Sequence, residues 1–425
     1  MFSIALFFLI CAISMPKLIS YSDIEILGKS DDGMQYSIEL TNKENCEYFA
    51  SVNLGTPAQK FNLSIDTSGY RIVVPDKNCV SCKNFTNFFD PKSSDTYQGP
   101  YASIRLNFSD DQYVSGNLSS ETASFGPEKL AEAKGQYFLL IEHDNDVKFD
   151  EDGLFGLGFN LEDGTSTYIQ TLVDQRVIKK SIFSLFLNNI NRKNQPKSAL
   201  VIGGSDDKYA KGSYTYLELA DFRGYWEINI TEISTPAGTL SINSETAIID
   251  SKSEIIWGPN NYIDNVLSYF KEKFGCSGSK YLYIHCPYNR ETKYPDIVFT
   301  LEGNKYSVCP ESYFQIFNNG TAMLLLYSHN LTGWILGVPF LREYYSVYDM
   351  ENLQIYLAPA VTGDDDSGVG ERIWVITIVV IIAILSIVSI GVVSYCFYKK
   401  RRNSRNIAYK SIAMEYAMTS SIACY

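Results

Sequence analysis

The sequence predicts an all-β protein of two duplicated lobes, followed by one C-terminal transmembrane helix. Between residues 46 and 360, short runs of Val, Ile, Tyr, Phe and Thr alternate with turn clusters such as Gly-Thr-Pro, which is typical of strands. The 31 Tyr and 24 Phe residues of the 425-residue chain also favour strand over helix. Two similar Asp-containing loops, at residues 66–69 and 250–253, indicate the duplication.

Each of these loops follows an apolar run and begins with an aspartate beside a hydroxyl. A second repeated element, two apolar residues and a glycine, follows each loop at nearly the same distance. Gly156 lies 90 positions after Asp66, and Gly337 lies 87 positions after Asp250. A repeat of this kind predicts two copies of one structural unit.

We therefore expect an N-terminal lobe at residues 46–222 and a C-terminal lobe at 223–360. Helical patterning is confined to short segments, and residues 166–177 and 261–274 are the best candidates for helices.

The regions outside the lobes are typical of a single-pass type I membrane protein. Residues 1–20 resemble a signal peptide, although a short buried strand is the alternative. Residues 21–45 form a short N-terminal segment, and 361–372 form a stalk rich in Gly and Asp. Residues 373–398 are uncharged and apolar over a length that spans a bilayer. Because basic residues open the tail at 399–425, the tail is expected in the cytoplasm and the lobes in a secretory or endolysosomal lumen or outside the cell.

Glycosylation sequons support this orientation, because they occur in the lobes and not in the tail. Seven Asn-X-Ser/Thr sites are found, at Asn62, Asn84, Asn107, Asn117, Asn229, Asn319 and Asn330.

The cysteines of the lobes suggest disulfides, since an even number in a secretory context is typical of them. The spacing of Cys79 and Cys82 also fits a redox motif or half a zinc site. With no second such pair and only three His residues, a tight disulfide loop is favoured and no metal is expected. The six candidates are Cys46, Cys79, Cys82, Cys276, Cys286 and Cys309.

The net charge of −12 argues against a nucleic acid partner for the folded part. A pair of facing aspartates instead suggests hydrolysis of peptide bonds. Two carboxyl groups about 3 Å apart share one proton, because both cannot ionise cheaply. The ionised group can take a proton from water while the protonated group polarises the carbonyl under attack. This chemistry needs no cofactor.

Around these loops the chain resembles the pepsin family of aspartic endopeptidases, and its C-terminal anchor resembles the membrane-bound branch. The resemblance extends over residues 46–360. The matching segments, in order, are residues 48–59, 66–69, 89–97, 152–158, 224–228, 250–253, 294–299, 334–337 and 344–349.

The resemblance implies a pepsin-like fold with a substrate cleft between the lobes and a β-hairpin flap above it. It implies catalytic roles for Asp66 and Asp250. The hydroxyls of Thr67 and Ser251 match residues that hold the two loops together, and Ser253 matches a hydroxyl that hydrogen-bonds the second carboxylate.

Both loops depart from the family pattern, in which a glycine follows the hydroxyl residue. Ser68 replaces this glycine in the first loop and Lys252 replaces it in the second. A side chain there intrudes where substrate backbone approaches closely. The Lys252 ammonium is expected to lower the pKa values of the pair and remove the shared proton, unless it turns outward into solvent. Gly69 stands where the family has a hydroxyl for the first carboxylate.

Other departures concern the flap and the activation segment. Val73 aligns with the family's tryptophan, and residues 107–109 contain no flap tyrosine, although Tyr113 replaces it if the hairpin is shifted. The family's aspartate after Ile-Leu-Gly is replaced by Val338-Pro339. The segment before Cys46 is short and acidic, whereas family zymogens carry a longer basic one.

These departures favour a catalytically impaired member of the family that retains its cleft to bind peptides or protein partners. The alternative is an active, membrane-anchored aspartic endopeptidase that cleaves luminal or cell-surface proteins.

Overall fold

A computed structural model of the chain describes residues 34–363, except 109–110, 150, 162, 221–222, 279–282, 290 and 331, and also residues 392–395 and 399–400. The described residues from 34 to 363 belong to one compact unit. The predicted signal peptide lies outside the described residues. So do most of the predicted stalk, transmembrane helix and tail. Within the described part of the chain, no helix is long and apolar enough to cross a membrane.

The compact unit consists mainly of strands, as predicted. The strands are β1 (Tyr36–Glu39), β2 (Thr41–Lys43), β3 (Glu47–Leu54), β4 (Gln59–Asp66), β5 (Ile72–Pro75), β6 (Gln98–Asn107), β7 (Tyr113–Phe125), β8 (Leu130–Asn145), β9 (Leu154–Gly156), β10 (Ile182–Phe186), β11 (Ala199–Ile202), β12 (Thr215–Glu218), β13 (Glu227–Thr235), β14 (Gly238–Ile249), β15 (Ile256–Pro259), β16 (Ile284–Pro287), β17 (Ile297–Leu301), β18 (Asn304–Val308), β19 (Phe314–Ile316), β20 (Thr321–Leu324), β21 (Leu326–His329), β22 (Trp334–Leu336), β23 (Tyr344–Asp349) and β24 (Gln354–Pro359).

Short helices connect some of these strands. The α-helices are α1 (Tyr168–Asp174), α2 (Asn260–Phe274), α3 (Pro310–Tyr313) and α4 (Val338–Leu341), and two 3-10 turns lie at Pro91–Ser93 and Asp207–Tyr209. The two helices predicted from sequence are confirmed as α1 and α2. The Thr167 hydroxyl caps α1 by accepting from the Gln170 amide, and α2 ends at Gly275, whose φ of 67° suits glycine.

The predicted duplication is visible in the strand order. The eight-stranded sheet has the order β2-β3-β4-β9-β5-β8-β7-β6, and the seven-stranded sheet has the order β18-β17-β13-β14-β22-β15-β21. In each sheet the strand that leads into an aspartate loop, β4 or β14, pairs in parallel with a three-residue strand, β9 or β22. That short strand pairs on its other side with β5 or β15, in antiparallel fashion.

The repeated glycine has a packing reason. A Cβ atom at Gly156 would lie 2.3 Å from the Arg71 backbone nitrogen, and one at Gly337 would lie 2.2 Å from the Ser253 backbone oxygen. The chain that leaves each aspartate loop therefore passes directly against the glycine of the neighbouring short strand.

The hydrophobic pattern of β4 explains how Asp66 comes to lie in the interior. Phe61, Leu63 and Ile65 are buried, whereas Lys60 and Asn62 are exposed, which is the alternation of a strand with one solvated face. From Leu63 onward every residue of β4 is buried. The strand therefore enters the core and ends there with Asp66.

A third sheet joins the two halves of the chain, in the order β1-β11-β10-β23-β24-β12. In this sheet, β10 and β11 pair with strands from both ends of the chain. The boundary between the lobes, at residues 222 and 223, therefore stays a prediction. The strand β1 pairs with β11 along its length, so this part of the short N-terminal segment belongs to the fold. A small fourth sheet has the order β16-β20-β19.

Two disulfides form among the six candidate cysteines. Cys79 pairs with Cys82, and Cys276 pairs with Cys286. The expectation for the other two is wrong, because Cys46 and Cys309 form no disulfide within the described residues. They have different neighbours: the Cys46 Sγ lies 3.8 Å from the Gln315 Oε1, and the Cys309 Sγ lies 2.9 Å from the Glu343 Oε1.

Candidate active site

Reciprocal hydrogen bonds join the two aspartate loops. The Thr67 Oγ1 donates to the Ile249 carbonyl at 2.8 Å and accepts from the Ser251 amide at 3.0 Å. The Ser251 Oγ donates to the Ile65 carbonyl at 2.6 Å and accepts from the Thr67 amide at 3.1 Å. Both hydroxyls are buried, so these four bonds are protected from water. The structure places Thr67 and Ser251 in the positions that the resemblance implies.

Three donors surround one oxygen of Asp66. The amides of Ser68 and Gly69 donate to Oδ1 at 2.8 and 2.9 Å, and the Ser68 hydroxyl donates to the same oxygen at 2.7 Å. The side chain of Ser68 therefore turns back onto Asp66, and its hydroxyl takes over the donor role that is missing at Gly69.

Glycine at residue 69 lies close to the carboxylate of Asp66. A Cβ atom there would lie 2.5 Å from the Asp66 Oδ2, so the end of the Asp66 side chain would have to shift to admit one. With the carboxylate in its present position, the hydroxyl donor comes from residue 68.

Two donors reach Asp250 in the second loop. The Lys252 amide donates to the Asp250 Oδ1 at 2.8 Å, and the Ser253 amide donates to it at 3.3 Å. Burial and the charge of Asp66 raise the pKa of Asp250 to about 7, although these two amides and the Lys252 charge act in the opposite direction. The surroundings of Asp250 therefore favour its protonated form, as a proton-sharing pair requires.

The expected role of the Ser253 hydroxyl is wrong. Its Oγ donates to the Ile255 carbonyl at 2.9 Å, and Ser253 bonds the carboxylate only through its backbone amide. The second loop therefore lacks the side-chain donor that Ser68 provides in the first.

The expectation that Lys252 removes the shared proton stays a prediction. The Lys252 charge lowers the pKa of Asp250, but burial and Asp66 outweigh that effect. The side chain does not turn into solvent, because its Nζ lies 2.8 Å from the Glu47 Oε1 and only 25% of the side chain is exposed.

The flap hairpin is formed by β6 and β7, with Asn107 paired opposite Tyr113. The Arg105 guanidinium stacks on the Tyr113 ring at 3.6 Å, and the ring also contacts His143. Phe108 packs edge-on against Phe149. Val73 is buried in the core of the first lobe.

Sequence reasoning missed Glu47 and Ser64. Glu47 begins β3 and is buried, and its Oε1 accepts from both the Ser64 hydroxyl and Lys252. The available signal was the serine in the apolar run before Asp66, since a hydroxyl in a buried strand needs a polar partner. Among the described residues, no group of His, Cys, Asp and Glu side chains is arranged to hold a metal ion.

Comparison with known proteins agrees with this geometry. The family described as eukaryotic aspartyl protease matches residues 47–360. Pepsin A of Bos taurus is 29% identical over 338 residues, which cover 75% of this chain and 86% of that protein. The embryonic pepsinogen of Gallus gallus is 28% identical over 337 residues, covering 76% and 82%. With a family match across most of its length and two aspartate loops joined by Thr67 and Ser251, the chain belongs to the eukaryotic aspartyl protease family.

Proposed function

We propose that the protein is an active aspartic endopeptidase, anchored in a membrane, that cleaves peptide bonds of luminal or cell-surface proteins. The observation that carries this proposal is the state of the aspartate pair. The Asp66 Oδ1 accepts three hydrogen bonds, and burial together with the charge of Asp66 raises the pKa of Asp250 to about 7.

In the proposed reaction, Asp66 is ionised and Asp250 is protonated. The Asp66 carboxylate takes a proton from a water molecule as that water attacks the carbonyl carbon of the scissile bond. The protonated carboxyl of Asp250 donates a hydrogen bond to the carbonyl oxygen and so stabilises the negative charge that develops there. The buried hydroxyls of Thr67 and Ser251 hold the loops in register during this step.

In the sequence, Ser68 and Lys252 favour an impaired cleft. In the structure, both side chains have contacts that make them compatible with a working aspartate pair. Ser68 bonds the carboxylate of Asp66, and the ammonium of Lys252 is paired with Glu47. Impairment stays a prediction of the sequence, and these contacts support the active alternative.

One observation favours the second candidate, a cleft that binds peptides without cleaving them. The ring of Tyr113 on the flap hairpin is in contact with the Arg105 guanidinium and with the His143 ring. A flap without a tyrosine over the pair would close less well on a bound substrate, so turnover would be slow even with the carboxyl pair intact.

The location of the protein is part of the proposal. It rests on the apolar segment at 373–398, the basic residues after it and the resemblance of residues 1–20 to a signal peptide. The exposure of six of the seven sequon asparagines supports glycosylation. The seventh, Asn117, is half-buried and its amide donates to Glu142.

The test is proteolysis by the full-length chain purified in detergent, with a mixed peptide pool at pH 3 to 8. We expect cleavage that a pepstatin-type inhibitor blocks, that Asp66→Asn abolishes, and that declines above about pH 7 as Asp250 ionises. No turnover at any pH, together with saturable peptide binding, would refute the active proposal and support the second candidate.

A further inference from the structure

Glu47 is a buried carboxylate that the proposed reaction does not use. Only 4% of its side chain is exposed, and its Oε1 accepts hydrogen bonds from the Ser64 hydroxyl and from the Lys252 ammonium. Within the described structure, its Oε2 has no hydrogen-bond partner. A buried charge is costly unless it is paired, and the ammonium of Lys252 is a charged partner of Glu47.

The ion pair crosses from one half of the site to the other. Glu47 and Ser64 lie on β3 and β4, which carry the first aspartate loop, whereas Lys252 belongs to the second loop. The backbone of Lys252 stays with Asp250, since its amide donates to that carboxylate at 2.8 Å. Only its side chain leads away, to a partner 205 positions distant in sequence.

We propose that Glu47 is a positioning residue of this site, which holds the Lys252 ammonium against the first lobe and neutralises its charge beside the two aspartates. A lysine at this loop position then becomes compatible with a proton-sharing pair. Ser64 contributes by fixing the Glu47 oxygen that Lys252 contacts.

The charges that act on Asp250 are consistent with this role. They come from Asp66 in the facing loop, which raises its pKa, and from Lys252, which lowers it. Burial and the charge of Asp66 outweigh the charge of Lys252. Without Glu47 the same ammonium would have no compensating charge on β3 and would act more strongly on the carboxylates of the pair. It would then favour the state in which both aspartates are ionised.

The experiment compares Glu47→Gln, Lys252→Met and the double variant in the full-length chain. Lys77→Met, which removes an exposed ammonium paired with Asp90 at 2.7 Å, is the matched control. The apparent pKa of the aspartate pair is measured by difference infrared spectroscopy with isotope-labelled aspartate, and Asp250→Asn assigns the signal.

We expect Glu47→Gln to lower the upper apparent pKa of the pair by about one unit, since an unpaired cation nearby lowers carboxyl pKa values by about 1–3 units. The double variant should return to the wild-type value, and Lys77→Met should match wild type throughout. If Glu47→Gln does not fold, Glu47→Asp tests the same point: the shorter carboxylate should give a smaller shift in the same direction.

The proposal is overturned if Glu47→Gln or Glu47→Asp lowers only the melting temperature, with the pKa unchanged. It is also overturned if the double variant keeps the low pKa. A second readout is kinetic and rests on the proposed proteolytic function: the upper limb of the pH profile of kcat/KM should shift with the apparent pKa of the pair. The infrared titration needs no turnover. An inactive wild-type protein would therefore refute the proposed function, and the titration would still test the role of Glu47.

Discussion

The substitution Ser68→Gly separates two opposite interpretations of the first loop. If Ser68 only obstructs the cleft, restoring the family's glycine should raise activity. In the structure its hydroxyl donates to the Asp66 Oδ1 at 2.7 Å, beside amide donors at 2.8 and 2.9 Å. Ser68→Gly therefore removes one of three donors, and we expect it to lower activity.

The size of the loss follows from the charge of the acceptor. Hydrogen bonds to charged groups contribute about 1.5–3 kcal/mol, and each 1.36 kcal/mol corresponds to about tenfold in rate. Because two amide donors remain, we expect kcat/KM to fall by about tenfold to hundredfold. The unfolding free energy should fall by about 1–2 kcal/mol, from the lost bond together with the added backbone freedom of glycine.

The assay is cleavage of a fluorogenic peptide selected from the pool, at the pH optimum of the wild type. Ser68→Ala and Ser68→Thr are the matched controls, because the first keeps the Cβ without the hydroxyl and the second keeps both. Ser68→Ala should resemble Ser68→Gly, and Ser68→Thr should stay close to wild type. If Ser68→Gly is as active as wild type or more so, the hydroxyl does not support the pair and our interpretation of this loop is wrong.

Three further predictions concern the pair, the bonds between the loops and the two cysteines outside the disulfides. Because the pKa of Asp250 is raised to about 7, the folded chain retains a proton that the unfolded chain has released above about pH 4. Stability should thus fall as pH rises from 4 through 7, and Asp250→Asn should flatten this dependence of Tm. The variants Thr67→Val and Ser251→Ala each leave buried amides or carbonyls without a partner, so each should lower the unfolding free energy in urea by about 1–3 kcal/mol. Alkylation of the unreduced, denatured protein, read by mass spectrometry of its peptides, should label Cys46 and Cys309; a disulfide between them would contradict the structure.

The fold was largely predictable because its signals are local and repeated. The apolar run before Asp66 predicts a buried strand, and the two apolar-apolar-Gly elements predict a duplicated unit. In the structure each of these elements is the short strand beside the strand that leads to Asp66 or Asp250. The roles of Thr67 and Ser251 followed from the family resemblance, since residue type and loop position determine them.

The roles of single side chains in the site were less predictable. Ser68 and Lys252 break the same family rule, yet one turns onto its own aspartate and the other reaches the opposite half of the site. The hydroxyl of Ser253 matches the family but bonds a backbone carbonyl instead. Spacing in the sequence carries no information on rotamers, and these three outcomes depend on which partner lies within reach.

By itself, the sequence determined the family, through the resemblance of its motifs, and the two aspartates and the duplication, through residue type and spacing. It also carries the apolar segment and the sequons on which the membrane topology is proposed. Only the tertiary structure decided the electrostatics of the pair. Glu47 lies 205 positions from Lys252 and becomes its partner only when β3 packs beside the second loop. The raised pKa of Asp250 likewise depends on burial and on Asp66, and both arise only from the folded arrangement of the two loops.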